Sequence, residues 1–374
     1  MNSMEKTAQK LLEKAGVEIN GRNPWDIQVH NPRFYSRVLS QGTLGLGESY
    51  MDGDWDCQAL DQFFYRALKT ELDKELRITL PLIKNAIKAK LINLQSPRRA
   101  FQIGERHYDT GNDLYQAMLD KRLAYTCAYW DNGATNLDDA QEAKLELVCK
   151  KIGLKEGEKV LDIGGGWGSF ARYAAEQHGA NVKATTVSKE QAELGRTLIK
   201  EARGVEIALE DYRDTKGKFD HVVSLGMFEH VGPRNYRTYM KKVSSLLEED
   251  GLFLLHTIGS NKSSAVGDLW VSKYIFPNSK LPSQKQIAEA AEGLFIEEDS
   301  HNLSTNYDKT LMAWCRNISS NWNELSKEKY DERFRRMWEY YLLSCAGAFR
   351  ARKIQVWQKV FSKKGLDNGY KSVR

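Results

Sequence analysis

Lys159-Val160-Leu161-Asp162-Ile163-Gly164-Gly165-Gly166-Trp167-Gly168 is the stretch that decides the fold. A short apolar run ends on an acid, opens into glycines, and passes into Ser169-Phe170-Ala171-Arg172-Tyr173-Ala174-Ala175, which has helical spacing. Glycines at such a turn permit positive φ and let the backbone approach a ligand closely. Outward from it, helices are expected at 142–152, 167–177, 189–202 and 234–247, and strands at 159–164, 181–187, 205–210, 219–228 and 251–259. Alternation of this kind builds a parallel sheet covered on both faces, with ligands gathering at the carboxyl ends of its strands. The expected fold class is α/β.

A chain of 374 residues is long enough for two domains. The expected division is a small, mostly helical N-terminal domain at 1–97 and a catalytic domain at 98–374. In the first, residues 4–15 carry Met4, Ala8, Leu11, Leu12 and Ala15 on one helical side, and 26–30 alternate like a short strand. The glycines between Gln41 and Trp55 predict a turn-rich loop before a helix at 60–68. Residues 82–94 place Ile83, Ile87, Leu91 and Leu94 on one helical face, and Pro97 closes that stretch.

The longest apolar runs, near 222–228 and 252–255, fall far short of the about 20 residues a membrane helix needs. The N-terminus lacks the apolar core of a secretory signal. Five scattered cysteines without CxxC, and seven histidines without HExxH, support neither a disulfide framework nor zinc. A cytoplasmic protein with reduced thiols is expected. The net charge of +5 is concentrated at Lys84, Lys88, Lys90, Arg98, Arg99 and Arg106, and at Arg333, Arg335, Arg336, Arg350, Arg352 and Lys353. Each cluster suits either a phosphate-bearing surface or an ordinary solvated helix face.

Asp162 beside the glycines would repel a pyrophosphate, which weakens the dinucleotide reading. It suits a ligand carrying ammonium and sulfonium charge, S-adenosylmethionine. The second strand ends in Thr185-Thr186-Val187-Ser188-Lys189-Glu190-Gln191 without the ribose-binding acid of dinucleotide enzymes, although Gln191 offers an amide in its place. Glu210-Asp211-Tyr212 is either an adenine contact or a surface loop. Glu229 and His256 close the fourth and fifth strands. Taken singly they read as a helix cap and a satisfied core histidine, but together at neighbouring strand ends they suggest a proton-handling site. The fourth strand also lacks the Asn/Asp-Pro-Pro-aromatic motif of base-nitrogen methyltransferases, so no nucleic-acid partner is expected.

The segments YTCAYW (125–130), DIGGGWGSFARYAA (162–175), TTVSKEQ (185–191), EDYRD (210–214), MFEHVG (227–232), LLHTIG (254–259), NYDKTLMAW (306–314) and SCAGAFRARKIQVWQ (344–358) together resemble the cyclopropane-fatty-acyl-phospholipid synthases. Mycolic acid cyclopropane synthases are the more distant relatives. The resemblance implies a Rossmann-like S-adenosylmethionine-dependent methyltransferase sheet that adds a methylene across the cis double bond of acyl chains. It implies a cofactor pocket of Tyr125, Thr126, Asp162, Gly164, Gly165, Gly166, Trp167, Gly168, Thr185 to Gln191, Glu210, Asp211 and Tyr212, with Thr126 where many relatives have serine. A bicarbonate ion is implied at Cys127, Glu229, His256, Ile258 and Tyr307, and a catalytic role has been attached to Cys345. The residues themselves show no base beside Cys345, so a small buried helix residue is an equal reading. Tyr129, Trp130 and Phe228 are expected to offer aromatic faces to positive charge developing on the acyl chain. The implied partner is unsaturated phospholipid in a bilayer, met by peripheral contact at the inner face of the cell membrane, with a homodimer as a compatible arrangement.

Overall fold

The computed structural model describes residues 3–72, 111–200, 202–264 and 267–374. The helix expected at 82–94, the boundary near Pro97 and the basic stretch at 84–106 lie outside the described residues. The chain forms two compact units, each assembled from three stretches: Met1–Ile92, Ala265–Pro277 and Tyr307–Ile354, and Asn93–Ser264, Asn278–Asn306 and Gln355–Arg374.

In the first unit, strands β1 (Ile27–Val29) and β2 (Trp55–Cys57) pair antiparallel among helices. Trp55 is fully buried, ringed by Phe34, Tyr50 and Phe63, and its indole N–H donates to Ser49 Oγ at 3.1 Å. The glycine-rich segment expected to be a loop is helical, with Arg33–Gln41 and Thr43–Met51 separated by Gly42 alone. Close packing, not turn geometry, explains its interior glycines. A Cβ at Gly45 would strike the Arg37 carbonyl, and one at Gly47 would strike the Trp270 indole.

The second arginine cluster is largely neutralised within this unit. Arg333 pairs with Asp52 at 2.9 Å, Arg335 with Glu332 at 2.6 Å and Arg336 with Asp56 at 2.7 Å. Arg350 reaches Asp61 at 2.6 Å and Asp308 at 2.8 Å. Arginines already spent on carboxylates are poor candidates for holding phosphate.

The second unit is built on a seven-stranded sheet of β3 (Lys159–Ile163), β4 (Asn181–Thr186), β5 (Val205–Leu209), β6 (Phe219–Leu225), β7 (Leu247–Ser260), β8 (Ile296–Asn302) and β9 (Ile354–Ser362). The order is β5-β4-β3-β6-β7-β9-β8. Pairing is parallel from β5 through to β7, and β8 runs antiparallel to β9. The chain moves outward one way from β3 and then restarts at β6 on its other side, so a crevice opens between their carboxyl ends. The antiparallel pair was not anticipated, because Ile296-Glu297-Glu298-Asp299 shows none of the apolar run expected of a strand.

Alternation along the strands divides the core. Leu161, Ile163, Val222, Phe253, Leu255 and Phe361 pack on one face, and Val160, Val223, Leu252, Leu254 and Val360 on the other. The second face is covered by helix Leu137–Ile152 through Leu145, Val148, Cys149 and Ile152. Period two places Asp162 and His256 on that same face.

Gly47→Ala should destabilise the protein by about 2 kcal/mol, because the added methyl has no room against Trp270. Thermal unfolding checks this, with a clear fall in midpoint expected.

Candidate active site

A cavity of about 170 Å³ opens at the carboxyl ends of β3, β4, β5 and β6. Its walls are Leu123 to Thr126, Lys144, Asp162 to Trp167, Thr185 to Val187, Gln191, Glu210 to Arg213 and Leu225 to Met227. Two glycines shape its floor. Gly164 has φ +78°, and a Cβ there would lie 2.6 Å from Met227. A Cβ on Gly165 would lie 2.7 Å from the Asp162 carboxylate and 2.8 Å from Ala184. Trp167 is pinned by its indole N–H donating to Asn112 Oδ1 at 2.9 Å.

Asp162 is buried, and neither carboxylate oxygen has a hydrogen-bond partner. Burial pushes its carboxyl up to about 7, with Lys144 pulling the other way. Lys144 is itself wholly buried, and burial brings its ammonium down to about 8 against the opposing charges of Asp120, Cys127 and Asp162. Its Nζ donates to Thr126 Oγ1 at 2.8 Å. The loop carrying Thr126 is held by Asp120, which accepts the Ala124 N–H at 2.8 Å, and Leu123 beside it adopts φ +60°. An orphaned acid in a glycine-walled cavity fits a cationic ligand, because an unpaired buried carboxylate otherwise costs several kcal/mol.

At the far end of the cavity Gln191 Oε1 accepts from the Thr186 hydroxyl at 2.9 Å. Ser188 caps helix Lys189–Leu198, its Oγ accepting the Gln191 N–H at 3.3 Å. Glu210 accepts from Lys183 at 2.9 Å and from Thr215 at 2.5 Å, and Asp211 from Arg213 at 2.8 Å. The cavity lining includes Tyr125, Thr126, Asp162, Gly164, Gly165, Gly166, Trp167, Thr185, Thr186, Val187, Gln191, Glu210, Asp211 and Tyr212. It does not include Gly168, Ser188, Lys189 or Glu190. Lys189 turns outward, its Nζ 3.7 Å from Glu193.

Glu229 and His256 lie on adjacent elements. His256 is the register partner of Leu225 at the end of β6, and Glu229 stands on the 3-10 turn Phe228–His230 that follows. Glu229 does not cap a helix. Its Oε1 accepts the Ile258 N–H at 2.6 Å, while Oε2 is buried without a partner. Burial pushes the Glu229 carboxyl up to about 7, opposed by the backbone N–H groups of Glu229 and Ile258 and by the Thr257 hydroxyl. His256 is only half satisfied. Its Nδ1 meets the Gln358 amide nitrogen at 3.3 Å, and Nε2 is buried without a partner. Burial, reinforced by Lys144, Lys151 and His301, pushes the imidazole down to about 3.

Cys127 is buried, with Sγ 3.3 Å from the Ala128 carbonyl and 3.8 Å from that of Leu303. Tyr307 and Cys345 belong to the first unit. There Tyr307 stacks on Phe349 at 4.6 Å, and burial with nearby Asp268 pushes the Cys345 thiol up to about 12. A thiol so raised is protonated near neutrality, the form that is the weaker nucleophile. Phe228, expected to face the acyl chain, is instead fully buried with its ring stacked on Tyr236 at 4.4 Å.

Lys144 escaped the sequence reading. The available signal was its place beside Leu145 and Val148, on the apolar stripe of a helix where a lysine has no solvent to reach. Among the described residues no cluster of His, Cys, Asp and Glu could hold a metal ion.

Comparison with known proteins gives a consistent result. The family model described as mycolic acid cyclopropane synthetase matches residues 95–359. A cyclopropane-fatty-acyl-phospholipid synthase of Escherichia coli (strain K12) is 50% identical, covering 98% of this chain and 95% of that one. A probable fatty acid methyltransferase of Pseudomonas putida is 39% identical, covering 67% of this chain and 66% of that one. The crystal structure of mycolic acid cyclopropane synthase CmaA1 complexed with SAH and CTAB superposes with TM-score 0.65 at 30% identity, covering 70% of this chain and 98% of that one.

The raised carboxyls make a prediction for the ligand-free chain. Asp162 and Glu229 hold their protons up to about 7, above the ordinary carboxylate range near 4 in an unfolded chain. Between these limits the folded state binds more protons, so stability is greatest at the acid end and is lost as pH rises through about 7. Asp162→Asn should make that decline shallower in urea unfolding followed across this range, whereas an unaltered slope would contradict the assignment.

Proposed function

The chain belongs to the mycolic acid cyclopropane synthetase family of S-adenosylmethionine-dependent methyltransferases, and from that premise we propose that it adds a methylene across the cis double bond of unsaturated phospholipid acyl chains, with bicarbonate as the base. The observation that carries this reading is the buried pair of unsatisfied atoms at neighbouring strand ends, Glu229 Oε2 and His256 Nε2.

S-adenosylmethionine supplies an electrophilic methyl on a sulfonium centre, which an alkene attacks only when the two are held in line and dry. Asp162, Gly164 to Trp167, Gln191 and the Tyr125-Thr126 loop would hold it. The chain must also handle the proton that leaves as the ring closes. With the Gln358 amide nitrogen facing Nδ1, His256 carries its hydrogen on Nε2 and serves as a fixed donor. It stays neutral near pH 7 because burial depresses its basicity. Glu229 Oε2 is an acceptor. A donor and an acceptor at neighbouring strand ends fit a small oxyanion that bears its own proton, whereas a fully ionised anion facing Glu229 would be repelled. The Cys127 amide is a further donor by family resemblance. Bicarbonate held there would supply a base beside an apolar chain. With its carboxyl poised near neutrality, Glu229 is suited to accept and return a proton.

Among the described residues no helix is long and apolar enough to cross a membrane. Access to the acyl chain is proposed as peripheral contact from the cytoplasmic side, with 1–97 as the docking segment and a homodimer as a compatible arrangement. Because the arginines of helix Glu332–Arg350 are engaged by carboxylates, the basic stretch at 84–106 is the better source of charge for anionic headgroups.

Mass spectrometry of monounsaturated phospholipid vesicles incubated with the protein and S-adenosylmethionine tests the reading. The expected product gains one methylene and loses its olefin; a methylene gained with the olefin retained would identify methylation without ring closure. Glu229→Gln should lower ring formation by about 100-fold or more with cofactor affinity unchanged. Full turnover by that variant would overturn the role of Glu229.

A further inference from the structure

Lys144 lines the cofactor cavity from helix Leu137–Ile152, a helix apart from the glycine loop and the strand ends. Its side chain is buried, and its Nζ donates to Thr126 Oγ1 at 2.8 Å. Asp120 and Cys127 of the preceding loop, Asp162 of β3 and His256 of β7 are the titratable groups in electrostatic contact with it. Asp162 is faced by Lys144 and also by Tyr239 of helix Tyr236–Leu246. A cation therefore stands in the same dry wall as the orphaned acid, where opposite charges act on each other far more strongly than in water.

We infer that Lys144 is a positioning residue of the cofactor pocket, easing the loss of the Asp162 carboxyl proton that binding a cation requires while anchoring the Thr126 hydroxyl. The inference rests on S-adenosylmethionine being the ligand of this cavity. Its sign follows from electrostatics. Asp162 must shed its proton before it can face a cation, burial opposes that loss, and the Lys144 charge favours it. Without Lys144 the carboxyl ionises only at higher pH. A side chain that merely filled space would, on removal, weaken binding equally at every pH.

The test is calorimetric titration of the full chain with S-adenosylmethionine and S-adenosylhomocysteine, from about pH 5 to about pH 9. In the wild type, affinity for S-adenosylmethionine should rise through an inflection near neutrality, and the thioether, lacking the sulfonium charge, should show a weaker rise. Lys144→Met should move the inflection upward by about one pH unit. Lys144→Arg, which keeps the charge, should restore it. Thr126→Val, which removes only the hydroxyl, should weaken binding without moving the inflection. An unmoved inflection in Lys144→Met would overturn the proposal. Should that variant fail to fold, the wild type still decides: titration below the inflection in buffers of different ionisation heat should show proton release, and none would equally overturn it. Absence of binding to the wild type at any pH would instead strike the cofactor assignment, and this inference with it.

Discussion

A carboxylate buried at the end of β3 with neither oxygen hydrogen-bonded is the constraint to which the rest of the site answers. Such a group persists only where something else compensates it. Here the compensation is divided: a buried ammonium on the neighbouring helix provides part, and a cationic ligand in the cavity would provide the remainder. The glycines make that division possible. At Gly165 any side chain would occupy the space between Asp162 and Ala184, closing the floor of the cavity.

The crevice holds two kinds of unfinished chemistry side by side. Around β3 and β4 the unmet demand is for positive charge. Around the ends of β6 and β7 two buried polar atoms, His256 Nε2 and Glu229 Oε2, are left without partners. The parallel pairing of β3 with β6 sets these environments on adjacent strands, and His256 lies opposite Leu225 at the end of β6.

Much of this was legible in the sequence. The acid-then-glycine turn identified β3 and its ligand class, because the conflict between Asp162 and a pyrophosphate is chemical and needs no coordinates. Glu229 and His256 were legible as a pair, since strand ends in a parallel sheet converge. The family resemblance, carried by ordered motifs across most of the chain, agrees with the relatives found. Other features were hidden for physical reasons. Gly45 and Gly47, read as loop, stand inside helix Thr43–Met51 where neighbouring groups leave no room for a side chain, information that belongs to the partner residue rather than to the segment. The polar strand β8 forms because β9 pairs with it. Lys144 looks like any surface lysine until Leu145 and Val148 are seen to face the sheet.

Infrared difference spectroscopy of the protein at about pH 6, before and after saturation with S-adenosylmethionine, tests the central claim most directly. The account predicts loss of a protonated-carboxyl band on binding, with that loss missing in Asp162→Asn. A protonated-carboxyl band unchanged by bound cofactor would contradict it.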